Sequence, residues 1–190
     1  MNIVLASGSP RRRELMEMLG VRNLVVVPAG GEEVAVPGRG PEETVMALSA
    51  AKAAEVAAKR PQGDLIIAAD TIVWLDGEIL GKPRDREDAA AMLGKLSGRE
   101  HTVYSGITLI RRDRQLSETE ETRVRFRSLS EAEIRAYVDT GEPLDKAGAY
   151  GAQGKASLFV EGITGDFFNV MGLPLCRLGR MLDKMGVKLL

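Results

Sequence analysis

The chain has 190 residues, of which 44% are hydrophobic and 28% are charged, the composition of an ordinary soluble globular protein. Its net charge of −1 excludes a global positive field that would attract nucleic acid or an anionic membrane, so any anion site must be a local cluster. A single cysteine and a single histidine exclude an internal disulfide and a cysteine-rich or histidine-rich metal site, so a bound metal would need oxygen ligands, which suits Mg²⁺ or Mn²⁺.

The first predicted strand covers residues 2–6 and ends in a small polar loop, residues 7–9. A helix follows, with Pro10 in its first turn, where a missing N–H costs nothing, and with Gly20 after its end. Three arginines, residues 11–13, crowd the N-terminus of this helix, where the helix dipole disfavours cations unless an anion is bound. The pattern indicates a phosphate site. The alternative is a solvated basic turn.

The other regular elements are predicted from periodicity and from turn or capping residues. Strands are predicted over residues 23–27, 64–75, 78–80, 102–111, 116–126 and 157–160. Helices are predicted over residues 41–59, 86–96, 130–139 and 173–185. Residues 28–43 read as a long loop of a kind that is often functional, and residues 141–154 as an irregular glycine-rich segment. Hairpins mixed with helices predict an α/β or α+β fold with a mixed sheet, in one domain over residues 1–190.

Three polar residues occupy positions where a purely structural role is costly. Asp70 interrupts an apolar strand, so its carboxylate must be paired, metal-bound, at the mouth of a cleft or bonded to a nearby loop backbone. Lys52 follows Leu48 by four residues and therefore lies on the buried stripe of its helix, unless its amine reaches water while its stem packs. Lys82 falls opposite the neighbour of Asp70 when pairs are counted from the hairpin turn at Asp76-Gly77, so the two share a face only if a bulge or strand end intervenes.

Further candidates lie in the two irregular segments. Glu32 and Glu33, in the long loop, would complete with Asp70 an oxygen-ligand site for a metal that bridges phosphates. Gln153, in the glycine-rich segment, can bond a base edge through paired hydrogen bonds. That segment matches neither a Walker loop nor a dinucleotide fingerprint.

Without a signal pattern or an apolar run of membrane-spanning length, the chain is expected to be cytoplasmic, with no membrane or nucleic-acid partner.

Five motifs occur in order along nearly the whole chain: Ala6-Ser-Gly-Ser-Pro-Arg-Arg12, Ala69-Asp-Thr71, Gly81-Lys-Pro-Arg-Asp85, the glycine-rich segment 141–154 and Gly172-Leu-Pro174. Together they resemble the Maf family of nucleotide pyrophosphatases, the septum formation proteins. The resemblance implies hydrolysis of nucleoside triphosphates to the monophosphate and pyrophosphate, with a divalent cation, Mg²⁺ or Mn²⁺. It also implies a homodimer and a twisted mixed sheet flanked by helices, with two lobes around a cleft, similar to inosine triphosphate pyrophosphatases.

The resemblance also implies roles for single residues. Catalytic roles are implied for Arg12, Glu33, Lys52, Asp70 and Lys82. Asp70 is the expected proton acceptor, and Glu33 and Asp70 are the expected metal ligands; Glu32 could replace Glu33, and Asp70 could be base, ligand or both. Substrate binding and specificity are implied for Ser7, Arg11, Thr71 and Gln153, a combination that resembles the branch acting on dTTP and UTP. The alternatives are the branch that prefers 7-methylguanosine triphosphate and a nucleotide-sensing regulator of cell division without turnover.

Overall fold

The computed structural model describes residues 1–21, 23–31, 38–61 and 63–190. Within these ranges the strands are β1 (Ile3–Leu5), β2 (Leu24–Val26), β3 (Leu65–Leu75), β4 (Glu78–Leu80), β5 (Glu100–Arg111), β6 (Arg114–Phe126) and β7 (Val160–Thr164). The helices are α1 (Pro10–Met18), α2 (Pro41–Ala57), α3 (Arg86–Leu96), α4 (Glu131–Asp139), α5 (Phe167–Val170) and α6 (Leu175–Lys184), with 3₁₀ turns at Glu142–Asp145, Ala147–Ala149 and Lys155–Leu158. Among the described residues, no helix is both long and apolar enough to cross a membrane.

The seven strands of the described ranges form one mixed sheet. Their hydrogen-bonded order is β2-β1-β3-β5-β6-β7, and β4 pairs with β3 outside this path. β1 is parallel to β2 and to β3, with Leu5 aligned with Val26 and with Ile67. β3 with β4 and β6 with β7 are antiparallel. The predicted fold class, a mixed sheet combined with helices, is therefore confirmed.

The chain divides into two compact units. The first unit comprises Met1–Asp70, Ser105–Glu120 and Gly172–Leu190, and the second comprises Thr71–Tyr104 and Glu121–Met171. In the first unit, α2 packs on β1 and β3 through small and branched side chains: Val4, Ala6, Ala53, Val56, Ile66 and Ala68. In the second unit, α3 and α4 contribute to a larger core around Phe126 and Phe159. The single domain predicted over residues 1–190 stays a prediction.

A close backbone contact fixes α2 on the sheet. A Cβ added at Gly106 of β5 would overlap the carbonyl group of Val45 in α2, so only glycine allows this approach. One turn further along the helix, Ser49 Oγ lies 2.9 Å from Thr108 Oγ1, which is also 2.9 Å from Ser117 Oγ. Because buried hydroxyls need partners, this chain of hydrogen bonds aligns α2 with β5 and β6. The register of α2 against the sheet is thus defined by specific contacts.

The strand predicted over residues 157–160 is wrong. Lys155–Leu158 forms a 3₁₀ turn, and β7 begins at Val160, where the prediction ends. A short apolar run has no decisive periodicity, and here it buries Ala156 and Phe159 through a turn. The short helix α5 was not predicted either, because its four residues are too few to show a helical period.

Candidate active site

Arg12 connects the loop after β1 to Gly172, which lies shortly before α6. Arg12 Nε donates to the carbonyl oxygen of Gly172 at 2.8 Å, and its Nη1 donates to Ser7 Oγ at 3.3 Å. Ser7 Oγ also accepts from the N–H of Ser9 at 3.2 Å. The structure thus brings together Ser7 and Arg12, two residues predicted from the sequence. The guanidinium of Arg12 is held in orientation by these bonds.

The N-terminus of α1 combines positive charge with an uncapped first turn. Ser9, the N-cap residue, makes no side-chain cap bond, Pro10 opens the helix, and the first turn of α1 contains no acidic residue. Arg13 pairs with Glu17 at 2.7 Å on the surface, and this bond raises the pKa of Arg13. Arg13 is therefore engaged within its own helix. Arg11 and Arg12 remain as the cations at a helix end that favours anions.

Asp70 is held by the lysine that the helical spacing placed on the buried stripe of α2. Along β3, Ile66 and Ala68 pack in the core beneath α2, so Asp70, two residues further on, points to the same face. Lys52 Nζ donates to Asp70 Oδ1 at 2.5 Å, and the two side chains are only 17% and 7% exposed. The lysine amine therefore ends on a carboxylate. Two residues predicted as parts of one site form a largely buried ion pair.

The Ser7 loop and the ion pair lie at the same edge of the parallel strands. The register pairs Leu5 of β1 with Ile67 of β3. Ser7 is two residues beyond this pair and Asp70 three residues beyond it, both in the carboxyl direction. Ligands of open α/β sheets bind at the carboxyl ends of their strands. The first unit thus presents a cationic loop and a carboxylate–lysine pair beyond the carboxyl end of β1, on the side where such sheets bind ligands.

Glu55, one turn after Lys52 on α2, bonds the backbone near the start of the segment 28–43 that was predicted as a long loop. Its carboxylate accepts from the N–H groups of Gly30 and Gly31, each at 3.0 Å, and from Lys59 Nζ at 2.9 Å. These bonds lower the pKa of Glu55 to about 2, and the bond from Lys59 has the largest effect. Glu55 was not predicted from the sequence, although an acid three residues after Lys52 on the same helix was a usable signal.

Of the two predicted metal ligands, Asp70 is among the residues that the structure describes. Glu33, and with it Glu32, lies outside the described residues. Among the residues that the structure describes, no group of three or more His, Cys, Asp or Glu side chains could enclose an ion. Mg²⁺ commonly uses one or two protein carboxylates together with substrate phosphates and water. Asp70 therefore fits a cation that is carried mainly by a phosphate-bearing substrate.

Lys82 lies just beyond the end of its strand, in the second unit. The predicted hairpin is confirmed, with Leu75 opposite Glu78, and the pairing ends at Leu80, opposite Val73. The carbonyl of Gly81 accepts from the N–H of Gly148 at 3.0 Å. Gly148 has a φ of 67°, and a Cβ there would lie 2.8 Å from the Val73 side chain. This contact fixes the exposed Lys82 beside the glycine-rich segment.

Gln153 and Thr71 also belong to the second unit. Gln153 is exposed in a tight turn that is closed by a 2.9 Å bond from the N–H of Gly154 to the carbonyl of Gly151. Thr71 is half-buried on β3, next to Asp70 in the chain. An exposed amide on a closed turn presents one donor group and one acceptor to a ligand, the pair that bonding to a base edge requires.

Comparison with known proteins points to one family. The model of the family described as "Maf-like protein" matches residues 2–185. A curated relative named dTTP/UTP pyrophosphatase, from Symbiobacterium thermophilum, is 50% identical over 184 residues, which are 97% of this chain and 94% of the relative. Another of the same name, from Methanosarcina barkeri, is 49% identical over 189 residues, which are 98% of this chain and 95% of the relative.

Solved structures with the same fold are much more distant in sequence. The Staphylococcus aureus Ham1 protein matches with a TM-score of 0.52 at 14% identity, covering 97% of this chain and 100% of that one. A HAM1 protein from Coxiella burnetii matches with a TM-score of 0.50 at 16% identity, covering 97% and 99%. At such identities the likeness concerns the fold alone, and it agrees with the predicted fold class.

Proposed function

Since this chain belongs to the Maf family, we propose that it hydrolyses nucleoside triphosphates, above all dTTP and UTP, to the monophosphate and pyrophosphate. The proposal is supported by relatives named dTTP/UTP pyrophosphatase that are about half identical over nearly the whole chain. The single structural observation that carries it is the Lys52–Asp70 pair at 2.5 Å, at the edge of the parallel strands where the arginine-rich loop also lies.

In the proposed reaction, water attacks the α-phosphorus and the bond from this atom to the oxygen bridging the α- and β-phosphates breaks. Asp70 accepts the proton of the attacking water, and pyrophosphate leaves with the bridging oxygen. Lys52 bonds Oδ1 of Asp70 and so orients the carboxylate, whose other oxygen can accept from water. This geometry supports Asp70 as the general base.

The phosphate chain is proposed to bind at the N-terminus of α1. Arg11 and Arg12 would bond phosphoryl oxygens, and the exposed Lys82 would neutralise charge that develops on them. Arg12 is already oriented by Gly172 and Ser7, so it loses little side-chain freedom on binding. Such prior orientation is the main way in which charged side chains stabilise a phosphoryl-transfer transition state.

Asp70, together with Glu33, would hold the divalent cation implied by the family. A bound Mg²⁺ or Mn²⁺ supplies positive charge to phosphate oxygens, as in other phosphoryl-transfer sites. Base selection is proposed for Arg11, Thr71 and Gln153, with Gln153 bonding the pyrimidine edge. We further propose a cytoplasmic location, in keeping with a single cysteine and a nucleotide substrate. A homodimer stays a prediction, to be tested by light scattering.

Pyrophosphate release from dTTP and UTP in the presence of Mg²⁺ tests the catalytic assignment. Asp70→Asn is expected to lower kcat by about 10²–10⁴-fold, because the general base is removed while the side-chain volume is kept. The matched control is Asp139→Asn, a surface aspartate paired with Arg86, which should retain full turnover. Equal turnover of the Asp70 variant and the wild type would contradict the enzymatic proposal, as would tight triphosphate binding without product.

A nucleotide panel tests the specificity assignment separately. The wild type is expected to have its highest kcat/KM for dTTP and UTP, and Gln153→Ala should reduce this preference. Preference for 7-methylguanosine triphosphate would overturn the roles given to Arg11, Thr71 and Gln153. The roles of Asp70 and Lys52 would survive that result, because the α-phosphorus chemistry is the same for either base.

A further inference from the structure

The turn that carries Gln153 is attached to the core of the second unit by two side chains. Tyr137 Oη, from α4, accepts from the N–H of Gly151 at 3.3 Å and donates to Glu142 Oε1 at 2.9 Å. Glu142 Oε2 accepts from the N–H of Lys155 at 3.1 Å. One hydroxyl and one carboxylate therefore bond the backbone at both ends of the segment that contains Gln153.

Two glycines of this segment lie close to the side chains of Glu142 and Lys146. A Cβ added at Gly154 would overlap the carboxylate of Glu142, and one at Gly151 would lie 2.7 Å from Lys146 Cε. Lys146 Nζ in turn donates to the carbonyl of Glu142 at 2.6 Å. The space beside Gly151 is therefore occupied by Lys146, and the space beside Gly154 by Glu142.

Tyr137 is buried and closely packed, whereas Gln153 is exposed. Tyr137 is only 4% exposed, and its ring meets Phe159 edge-on with the centroids 5.1 Å apart. Burial, together with the bond to Glu142, raises the pKa of Tyr137, so its hydroxyl keeps the proton that it donates. The exposed Gln153 thus lies between Gly151, which is bonded to this packed tyrosine, and Lys155, which is bonded to Glu142.

We propose that Tyr137 and Glu142 are positioning residues for base recognition, which hold the turn Gly151–Gly154 so that the Gln153 amide meets the base edge in one orientation. The inference rests on the proposed function, in which Gln153 bonds the pyrimidine. A mobile turn would let the amide follow the donor and acceptor pattern of the wrong base. A fixed turn leaves the polar groups of that base unpaired, which is the stronger source of discrimination.

The kinetic test compares UTP with CTP, which differ only at the base edge. Tyr137→Phe and Glu142→Ala are each expected to lower the UTP-to-CTP ratio of kcat/KM by about tenfold, chiefly through a higher KM for UTP. The same change is expected for Gln153→Ala. Tyr137→Phe combined with Gln153→Ala should lower the ratio no further than Gln153→Ala alone, since both act through one amide.

Tyr150→Phe is the matched control, because it removes a buried hydroxyl that bonds His101 Nε2 at 2.7 Å. Its ratio should stay unchanged.

Amide hydrogen exchange tests the attachment itself and needs no activity. Tyr137→Phe should speed exchange at Gly151, and Glu142→Ala should speed it at Lys155, each by about tenfold or more, while Tyr150→Phe alters neither. Unchanged exchange in both variants would overturn the inference, and so would additive effects of Tyr137→Phe and Gln153→Ala on the ratio.

The two proposals fail in different ways. A wild type that releases no pyrophosphate from any nucleotide contradicts the proposed function, and this inference with it. A wild type that turns over and discriminates UTP from CTP, with the same ratio in Tyr137→Phe and Glu142→Ala, contradicts this inference alone. Glu142→Gln adds a further check: it keeps an acceptor for Lys155, so it should retain more of the ratio than Glu142→Ala.

Discussion

Single residues explain how this chain tolerates a carboxylate inside an apolar strand. Asp70 is buried, and an unpaired charge at this position would be very costly. The lysine on the facing helix neutralises it, and each ion depends on the other because neither is well hydrated. Compared with well-packed apolar side chains, a buried pair of this kind contributes little net stability, which agrees with the catalytic role proposed for Asp70.

The Lys52–Asp70 pair predicts a non-additive double-mutant cycle. Lys52→Met should lower the free energy of unfolding by about 2–3 kcal/mol, because it leaves a buried carboxylate without its partner. Adding Asp70→Asn should restore part of that loss, since the orphaned charge disappears. Urea denaturation of the four proteins measures the coupling. Additive losses would show that the two side chains act independently.

His101 predicts an acid-sensitive component of stability. It is buried between the rings of Phe126 and Tyr150, at centroid distances of 5.0 Å and 5.3 Å, and burial lowers its pKa from 6.5 to about 4. Because the folded state resists protonation, the contribution of His101 is complete above pH 6.5 and is lost as the pH falls towards 4.

Between neutral pH and about pH 4.5, the wild type should lose about 2–3 kcal/mol more stability than His101→Gln, which lacks the titrating group. Denaturation curves at several pH values check this difference. His101 is the single histidine of the chain, so no other imidazole can mask the effect. Parallel pH profiles for the two proteins would contradict the burial argument.

At the scale of elements, the position of α2 matters most, because this helix carries both Lys52 and Glu55. Its apolar side packs on β1 and β3, and its close contact with β5 depends on Gly106. Local signals predicted the helix itself, including its acidic first turn. They did not show which strand residue must be a glycine, since that depends on a contact between distant parts of the chain.

Gly106→Ala is expected to destabilise the protein by about 1–3 kcal/mol, because the new methyl group forces α2 away from β5. Turnover should fall as well, since Lys52 moves with the helix. Gly94→Ala is the matched control: this exposed glycine lies inside α3 with nothing near its would-be Cβ, so alanine should stabilise by about 0.5–1 kcal/mol. Thermal melts of both variants check the opposite signs.

For the molecule as a whole, the net charge is near zero, but positive charge is concentrated at the start of α1. The net charge of −1 leaves no general attraction for polyanions, whereas the start of α1 concentrates arginines. The molecule is therefore expected to bind a small phosphate chain with a cation and not to bind DNA.

A non-hydrolysable UTP analogue with Mg²⁺, at about 100 times its Kd, should raise the Tm by about 5–10 °C through binding to the folded state. Removing the metal with a chelator should shrink this shift and abolish turnover, and restoring Mg²⁺ should recover both. Duplex DNA should leave the Tm unchanged. An equal shift with and without metal would contradict the role proposed for the cation.

The order and type of most elements, the mixed sheet and the arginine-rich start of α1 were predicted from the sequence. These follow from short-range signals: apolar periodicity, Asp76-Gly77 at the hairpin, and a helix that begins with proline and arginines. The strand placed over residues 157–160 failed because a short apolar run suits a turn equally well.

How the candidate site residues are held depends on contacts between distant parts of the chain, which the fold alone creates. Helical spacing left two alternatives for Lys52, a position on the buried stripe or an amine that reaches water. The fold brings its amine to Asp70, 18 positions away in the chain. The bond from Arg12 to Gly172 spans 160 positions, and the glycines at 151 and 154 prove to accommodate Glu142 and Lys146. Such contacts escape prediction because backbone propensities act over a few neighbouring residues, whereas ion pairs and close packing depend on which segments the fold places side by side.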